Sequence, residues 1–290
     1  MSSSPPPSAP APLTALLVRP MSARVGSTLL MRLLATSAAV VCDRVPPYEH
    51  RYLAYLAHTA RAIGTPWERG RDWQPSELLG GALGSFGPLP FVAESVAVDD
   101  LGRRSLAHLW EAFSASARER APAARYYAEK LAGPLQPLAE AGIPLTLLDL
   151  VRDPRDVFVS LRAFSEQLGT GISGWRLGHP DAANLPFFIA ALDERLGALG
   201  RHTGGVTPLV VRYEDLVLDG PATAARIGAA LGLELDLTLA ATDAAIRGQM
   251  TVAAADESIG RWRRELDPDV AATIGRLLAD QIERCGYEPS

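Results

Sequence analysis

One segment near the N-terminus of the 290-residue chain has the residue types that bind an anionic group such as phosphate. Arg24 is followed by Gly26, Ser27 and Thr28, directly before a run of helix-forming residues. Free N–H groups at the N-terminus of a helix attract anions, and the helix dipole adds to that attraction. An arginine fork and two hydroxyl groups would extend such a site. The same pattern is also typical of an ordinary strand-to-helix turn, because short Gly-containing motifs are weakly specific.

A second segment with the same potential runs from Arg152 to Ser160 and reads RDPRDVFVS. Pro154 suits the first position of a helix, with Asp153 as its cap. Arg152 ends the preceding strand and Ser160 lies two turns into the helix, so the two side chains could hold an anion between them. The alternative is a salt-bridged helix start, in which the acidic residues complement the helix dipole and pair with the arginines.

Two further segments combine aromatic and cationic side chains. Tyr213 follows a third strand in the sequence RYEDL, where its flat ring suits contact with a base or ordinary packing. The sequence SIGRWRR, from Ser258 to Arg264, places Arg261 and Trp262 in a dense cationic patch. A solvated charge run would also explain that patch, although helix packing alone does not require three arginines in four positions.

The elements that must position these segments alternate along the chain. Three solidly apolar runs predict buried strands at Leu13–Val18, Pro144–Val151 and Pro208–Arg212. Helical patterns lie between and after them, at Gly26–Ser37, Tyr48–Ile63, Ser105–Arg120, Asp153–Phe164, Leu185–His202, Pro221–Leu231 and Pro268–Cys285. We therefore predict a single-domain α/β fold with a parallel β-sheet flanked by helices and a P-loop-like strand-loop-helix. Ligands of such folds bind at the carboxyl ends of the strands, where the first three of these segments begin.

Composition narrows the class of protein further. A net charge of −5 argues against a general nucleic-acid binder, which needs a basic face. The most apolar stretch, 29–41, is too short to span a membrane. Residues 1–12 are rich in Ser, Pro and Ala and predict a disordered tail before one domain over 13–290. Cys42 and Cys285 are far apart and lack metal-site spacing, so we expect a reducing, cytoplasmic compartment and no metal.

The four segments, in this order, resemble the sulfotransferases that use 3′-phosphoadenosine 5′-phosphosulfate (PAPS). The first is similar to the family's Pro-Arg-Ser-Gly-Ser/Thr-Thr loop, with Val25 at the position usually held by Ser or Gly. The second is similar to Arg-Asn/Asp-Pro-Arg-Asp-Val-x-x-Ser, and the likeness extends from Leu13 to Tyr287. It implies transfer of a sulfonate to a hydroxyl, less readily an amine, of a small-molecule or sugar acceptor. The nucleotide product would be 3′,5′-adenosine bisphosphate (PAP), and no metal would be needed.

The resemblance also implies roles for individual residues, all of them at the nucleotide. The 5′-phosphosulfate would be held by Arg24, Gly26, Ser27 and Thr28. The 3′-phosphate would be held by Arg152 and Ser160, with help from Arg261. The adenine pocket would be shaped by Tyr213 and Trp262. The stretch between the first strand and the glycine is longer than in the family, which leaves Arg19 as the alternative to Arg24.

A general base for the acceptor hydroxyl is the remaining requirement. Glu49, in PPYEH, lies where carbohydrate-type and many bacterial relatives place a catalytic Glu, although a plain first-turn acid would have the same sequence. Small-phenol enzymes use a His after the next strand, for which His108 is the nearest candidate, although it lies within a predicted helix. His50 and His58 are further alternatives.

Residues around the acceptor are suggested by one charged pair and two loops. Glu129 and Lys130 resemble the Glu/Gly-x-Lys segment beside the acceptor in glycan sulfotransferases, and Lys130 is the only lysine among 28 Lys and Arg residues. An exposed surface lysine is the alternative. The aromatic loops 67–91 and 169–179 could form an acceptor lid or pack ordinarily; their aromatic residues are Trp67, Trp73, Phe86 and Trp175.

Two other functions share this pattern. A P-loop kinase or phosphotransferase has the same strand-loop-helix, but the chain lacks the Gly-Lys-Ser/Thr sequence that such enzymes use. A non-catalytic nucleotide-binding protein of the same fold would keep the anion sites and lack the base. Preference for a 3′-phosphorylated nucleotide separates the sulfotransferase from the kinase, and turnover separates it from the binding protein.

Overall fold

A parallel sheet forms the centre of the molecule. The structure is a computed structural model that describes residues 11–64, 98–131, 135–201, 205–241, 248 and 250–289. The sheet has five strands in the order β2-β3-β1-β4-β5, and every neighbouring pair is parallel. The strands are β1 Thr14–Pro20, β2 Val40–Cys42, β3 Tyr126–Lys130, β4 Leu145–Val151 and β5 Leu209–Arg212. Parallel pairing requires crossover connections, which here contain helices.

The helices of the described residues precede, join and follow these strands. They are α1 Ser27–Leu34, α2 Tyr52–Gly64, α3 Val98–Arg120, α4 Gln136–Glu140, α5 Pro154–Leu168, α6 Asp181–Arg201, α7 Tyr213–Leu218, α8 Gly220–Leu231, α9 Leu237–Ala241, α10 Trp262–Glu265, α11 Pro268–Leu277 and α12 Ala279–Arg284. A 3₁₀ turn at Asp256–Ser258 precedes α10.

Strand β1 is buried on both faces, which explains its continuous apolar sequence. Leu16 and Val18 belong to the core cluster that includes α1 and α5, whereas Ala15 and Leu17 belong to the cluster that includes α2 and α3. Side chains alternate between the two faces of a strand, so both clusters draw on the same short segment. This arrangement confirms the predicted parallel sheet covered by helices on both sides.

Two strands have no counterpart in the prediction from sequence. Strand β2 has only three residues, too few for a periodic signal. Strand β3 reads YYAEK and ends in Glu129 and Lys130, both of which are buried. Because a hydrophobic pattern treats charged residues as surface, it overlooks a strand that carries functional groups at its end.

Several predicted helix boundaries are wrong. Helix α2 begins at Tyr52 and not at Tyr48, so Glu49 lies before the helix and not in its first turn. Helix α5 continues to Leu168, and α6 begins at Asp181. Helix α3 begins at Val98, so Ser105 lies within it and is not its cap. The single helix predicted over 268–285 is divided at Leu278, whose φ of −113° and ψ of 22° are not helical. The predicted cap Asp153 is confirmed, because its carboxylate accepts the N–H of Arg155 at 2.9 Å.

Several expectations lie outside the described residues. The predicted tail falls mostly on residues 1–10, and the loop 67–91, with Trp67, Trp73 and Phe86, falls within 65–97. Among the helices that the structure describes, none is both long and apolar enough to cross a membrane.

Candidate active site

The segments singled out in the sequence meet around one cavity at the carboxyl ends of the strands. Its volume is about 240 Å³. The loop after β1, the start of α1, the end of β3, Arg152, two residues within α5 and the start of α7 contribute to its wall. Residues 47, 49, 172, 250–252, 255 and 258 complete the described wall. Segments that are far apart in the chain come together here because parallel strands end at the same edge of the sheet.

The loop after β1 brings backbone N–H groups to the cavity. Gly26 precedes α1 with a φ of 88°, in the left-handed region that glycine adopts without strain, and no acidic residue lies in the first turn of α1. The ring of Tyr213 packs directly on this glycine, and a methyl group there would lie 2.8 Å from Cε2 of the ring. Gly26, Ser27 and Thr28 all line the cavity. The N-terminus of α1 is thus shaped to accept an anion.

Arg24 is held over the cavity by two residues of α5. Its guanidinium lies 3.8 Å from the centre of the Phe164 ring, and its Nε donates to Oγ of Ser160 at 3.4 Å. Ser160 and Phe164 are four residues apart and therefore share one face of the helix. Burial, with the nearby positive charge of Arg152, lowers the pKa of Arg24 to about 10, so the side chain is still a cation at neutral pH.

The alternative residue, Arg19, has a different place. It lies within β1, is 5% exposed, and forms a two-pronged ion pair with Asp149 of β4, with Nε–Oδ1 2.6 Å and Nη2–Oδ2 2.7 Å. Arg19 does not line the cavity, whereas Arg24 does. The geometry therefore favours Arg24 as the arginine of the first loop.

Arg152 joins two walls of the cavity. Its Nη1 donates to the carbonyl of Arg24 and its Nη2 to the carbonyl of Ser258, each at 2.8 Å. The guanidinium lies 4.4 Å from the centre of the Tyr213 ring. Its Nε is buried and has no hydrogen-bond partner among the described residues. A buried donor without a partner is costly, and an anionic ligand in the cavity is a natural acceptor for it.

The segment that begins at Ser258 is fixed to α5 by a buried carboxylate. Asp156 accepts the N–H groups of Gly260 at 2.7 Å and Trp262 at 2.9 Å. Burial raises the pKa of Asp156, and the two N–H donors act against that rise. The hydroxyl of Tyr213 lies 3.0 Å from Oγ of Ser258, so the second, third and fourth segments meet at this serine.

Glu49 and Lys130 form an ion pair in the cavity wall. Lys130 is 3% exposed, and its Nζ donates to Oε1 of Glu49 at 2.8 Å and to the carbonyl of Pro47 at 2.5 Å. Oγ1 of Thr28 is 3.5 Å away. Burial lowers the pKa of Lys130, and the hydrogen bond with Glu49 opposes that shift. The side chain of Glu49 is 47% exposed, also contacts Arg51, and lines the cavity.

The histidine alternatives lie elsewhere. His108 is on the exposed side of α3, where its ring nitrogen is 3.4 Å from Glu111. His50 is exposed and pairs with Asp43, and His58 is exposed on α2. The described cavity wall contains none of these three histidines.

Arg261 and Trp262 stand behind the cavity wall. Arg261 donates to Glu265 at 2.6 Å and to the hydroxyl of Thr251, a wall residue, at 2.8 Å. The ring of Trp262 is flanked by Arg155 and Arg263, with guanidinium-to-ring distances of 4.0 and 4.5 Å. Neither side chain is part of the described wall.

Trp175, for which the sequence left an acceptor lid and ordinary packing open, belongs to the core. Its ring packs edge-on against Phe158 at 4.9 Å, and only 8% of the residue is exposed. Ile172 is the residue of that loop that lines the cavity.

Phe164 and Ser258 are site residues that the prediction from sequence did not identify. Phe164 follows Ser160 by four residues, so helical periodicity would have placed it beside the same ligand. Ser258 is part of the fourth segment, but only the fold reveals that its carbonyl and hydroxyl meet Arg152 and Tyr213.

Comparison with known proteins gives both family and structural matches. A family model described as "Sulfotransferase family" matches residues 22–237. Among solved structures, the sulfotransferase domain from the Synechococcus PCC 7002 olefin synthase is 20% identical, with a TM-score of 0.53 over 99% of both chains. Sulfotransferase STF9 from Mycobacterium avium is 15% identical, with a TM-score of 0.45 over 96% of this chain and 78% of that chain. Retinol dehydratase, in a complex with retinol and PAP, is 16% identical, with a TM-score of 0.47 over 94% of this chain and 82% of that chain.

A search of curated proteins finds no match. The family model covers well over half of the 290 residues and includes the first loop, β3, α5 and Tyr213. The Synechococcus domain has the same fold. Because the family model matches residues 22–237, the chain belongs to the sulfotransferase family.

Proposed function

We propose that the protein transfers a sulfonate from PAPS to a hydroxyl, less readily an amine, of a small-molecule or carbohydrate acceptor. The observation that carries this proposal is the meeting of two anion-binding features at one cavity. One is the N-terminus of α1 with Arg24, and the other is Arg152 with Ser160. A nucleotide with anionic groups at both its 5′ and 3′ positions suits such a pair.

The residues present fit that nucleotide. The buried Nε of Arg152 is a donor without a partner among the described residues, as expected where a phosphate oxygen binds. Arg24, Gly26, Ser27 and Thr28 would hold the 5′-phosphosulfate, and Arg152 and Ser160 the 3′-phosphate. Tyr213 packs on Gly26 and would limit the adenine pocket, with Arg261 supporting the wall through Thr251.

Chemistry at this site would be in-line transfer. PAPS supplies the activated sulfonate when bound. The N–H groups of α1 and the guanidinium of Arg24 would stabilise negative charge on the leaving phosphate. The ammonium of Lys130, 3.5 Å from the hydroxyl of Thr28, would attract a sulfonyl oxygen. Glu49 would accept the proton of the acceptor hydroxyl, because its half-exposed carboxylate faces the cavity.

Calorimetric titration with PAP and separately with ADP, both in the presence of a chelator, tests the nucleotide assignment. We expect tight binding of PAP and little binding of ADP, because only PAP has a 3′-phosphate for Arg152 and Ser160. Equal binding of both nucleotides, or binding of ADP or ATP only after Mg²⁺ is restored, would favour the kinase and contradict the proposal.

Turnover distinguishes the enzyme from a nucleotide-binding protein of the same fold. The assay follows release of PAP from PAPS with a panel of phenols, aliphatic alcohols, sugars and amines, again with a chelator. We expect acceptor-dependent release of PAP. Tight PAP binding without turnover across that panel would support the non-catalytic alternative.

A further inference from the structure

Strand β3 ends in two neighbouring charged residues that are both buried. Glu129 is 2% exposed and Lys130 is 3% exposed. Adjacent residues of a strand point to opposite faces of the sheet. Tyr127 and Ala128, two residues earlier in each case, accordingly belong to the two different core clusters. The end of β3 thus presents a carboxylate on one face and an ammonium on the other.

Both charged groups bind the same short stretch of chain, 47–54. On one face, Nζ of Lys130 contacts the carbonyl of Pro47 and the carboxylate of Glu49. On the other face, Glu129 accepts the N–H groups of Leu53 at 2.9 Å and Ala54 at 3.1 Å, in the first turn of α2. The stretch that carries Glu49 is therefore held at both of its ends by one strand.

The carboxylate acts as a helix cap supplied from a distant part of the chain. Helices are usually capped by a Ser, Thr, Asp or Asn directly before their first turn. Here the residue before α2 is Arg51, whose side chain has no acceptor group, and the acceptor comes from Glu129, 76 residues from Leu53. A local cap satisfies N–H groups only, whereas this long-range cap also fixes the helix to the sheet.

Burying the carboxylate of Glu129 carries a desolvation cost. Burial raises the pKa of Glu129, and the hydrogen bonds from the N–H of Leu53, the hydroxyl of Tyr127 and the N–H of Ala54 oppose that rise without cancelling it. Uncharged polar side chains could satisfy the same donors with less desolvation. A buried charge at this place is better explained by the fixed direction that two carboxylate oxygens impose on α2 and on the residues before it.

We propose that Glu129 is a positioning residue for Glu49. By capping α2 from β3, it fixes the stretch 47–54, so that the carboxylate of Glu49 meets Nζ of Lys130 at the cavity. The catalytic part of this inference rests on the proposed function of Glu49, whereas the structural part does not. Glu129 itself is outside the cavity wall and contacts no ligand-binding residue except through that stretch.

The first test uses Lys130 as a reporter, because it is the only lysine in the chain. The rate of its acetylation by an N-hydroxysuccinimide ester is measured by mass spectrometry, relative to a lysine-containing peptide in the same tube. Glu129→Gln should increase that rate at least about fivefold, since release of the stretch 47–54 opens the buried amine to the reagent. An unchanged rate would overturn the proposal.

Asp267→Asn is the matched control. Asp267 also caps a helix with its carboxylate, accepting the N–H of Asp269 at 2.8 Å, and it is not part of the cavity wall. We expect this variant to lose thermal stability comparably while the acetylation rate of Lys130 stays unchanged. An equal increase in both variants would show that general loosening of the fold, and not loss of a specific positioning contact, exposes the lysine.

The second test separates binding from chemistry. In Glu129→Gln, kcat should fall about tenfold to a hundredfold because the base is displaced, while the Kd for PAP stays within about twofold. Glu129→Asp keeps the charge on a shorter side chain, so its kcat should lie between that of wild type and that of Glu129→Gln. This variant also covers the case in which Glu129→Gln does not fold. If either variant had the kcat of wild type and the same rate of Lys130 acetylation as wild type, the proposed positioning role of Glu129 would be refuted.

The first test is independent of the proposed function, whereas the second requires an active enzyme. Acetylation of Lys130 needs neither PAPS nor an acceptor, so it reports on the position of the stretch 47–54 even if no sulfonate is transferred. If wild type itself fails to bind PAP, the proposed function is wrong, and the labelling result still decides whether Glu129 fixes that stretch.

Discussion

The ring of Tyr213 lies directly on the backbone of Gly26, so that the start of α7 and the first loop form one continuous wall of the cavity. A side chain at position 26 would meet Cε2 of the ring at 2.8 Å. The tyrosine cannot withdraw easily, because its hydroxyl is hydrogen-bonded to Ser258 and the guanidinium of Arg152 lies 4.4 Å from the centre of its ring. The absence of a Cβ at Gly26 is thus a requirement of packing as well as of backbone conformation.

Gly26→Ala should weaken PAP binding by at least about tenfold, because the new methyl group displaces either Tyr213 or the N-terminus of α1. Calorimetry with PAP measures the change. Gly142→Ala is the control, since Gly142 also has a positive φ, 70°, but a methyl group there has no neighbour within 4 Å. The control should lose about 1–2 kcal/mol of folding free energy and keep its PAP affinity. Equal affinity losses in both variants would refute the packing argument.

Arg152→Ala should weaken PAP binding by about 1.5–3 kcal/mol, because a charge-assisted contact is lost. The variant should also be less stable, since the carbonyls of Arg24 and Ser258 lose their donor. Titration of PAP and chemical denaturation measure the two effects separately. Arg125→Ala is a suitable control, because its guanidinium also donates to a carbonyl, that of Gly232, but outside the cavity. Unchanged PAP affinity would make the second segment purely structural.

Much of this arrangement is predictable from sequence, because β1, β4 and β5 are largely apolar runs. Strands β1 and β4 are mostly buried, whereas β5 lies at the edge of the sheet and its Val210 is 46% exposed. The positions of the first three segments at the strand ends follow from the parallel topology, whereas the fourth, from Ser258 to Arg264, begins in a 3₁₀ turn and not at a strand end. The pairing of Lys130 with Glu49 cannot be predicted in this way, since 81 residues separate them. Strand β3 itself was not recognised, because its charged end breaks the apolar pattern. The choice between Arg19 and Arg24 could not be made from sequence either, because the ion pair of Arg19 with Asp149 of the neighbouring strand β4 becomes visible only in the fold.

Periodicity and tertiary contacts explain the remaining differences. The start of α3 at Val98 was missed because its first turns are polar, and an internal serine resembled a cap. The core position of Trp175 depends on Phe158 in α5, which is not near it in sequence. Such outcomes reflect packing between distant elements, which a local pattern does not contain.

Glu49→Gln should reduce turnover by about two to four orders of magnitude while PAP affinity stays near that of wild type. The amide preserves the shape of the side chain but cannot accept the proton of the acceptor hydroxyl. Steady-state release of PAP and calorimetry measure the two quantities. His108→Gln removes the alternative base on the exposed side of α3 and should leave turnover unchanged. A fully active Glu49→Gln would place the base elsewhere, and loss of activity in His108→Gln would identify it.

The buried ammonium of Lys130 should make folding stability depend on pH in a definite direction. Burial lowers its pKa in the folded protein below the ordinary value of 10.5 that applies to the unfolded chain. Between these two values the unfolded chain binds more protons, so the contribution of Lys130 to stability rises with pH. The free energy of unfolding of wild type minus that of Lys130→Met should therefore be larger at pH 10 than at pH 7.

Lys130→Arg separates titration from the loss of a side chain. An arginine at this position should remain charged throughout the range, so the difference between Lys130→Arg and Lys130→Met should stay constant from pH 7 to pH 10. Other groups with shifted pKa values, such as Arg24 and Cys42, are present in all three proteins, and their contributions largely cancel. A wild-type difference that is flat over the same range would mean that Glu49 and the carbonyl of Pro47 offset the desolvation of the ammonium.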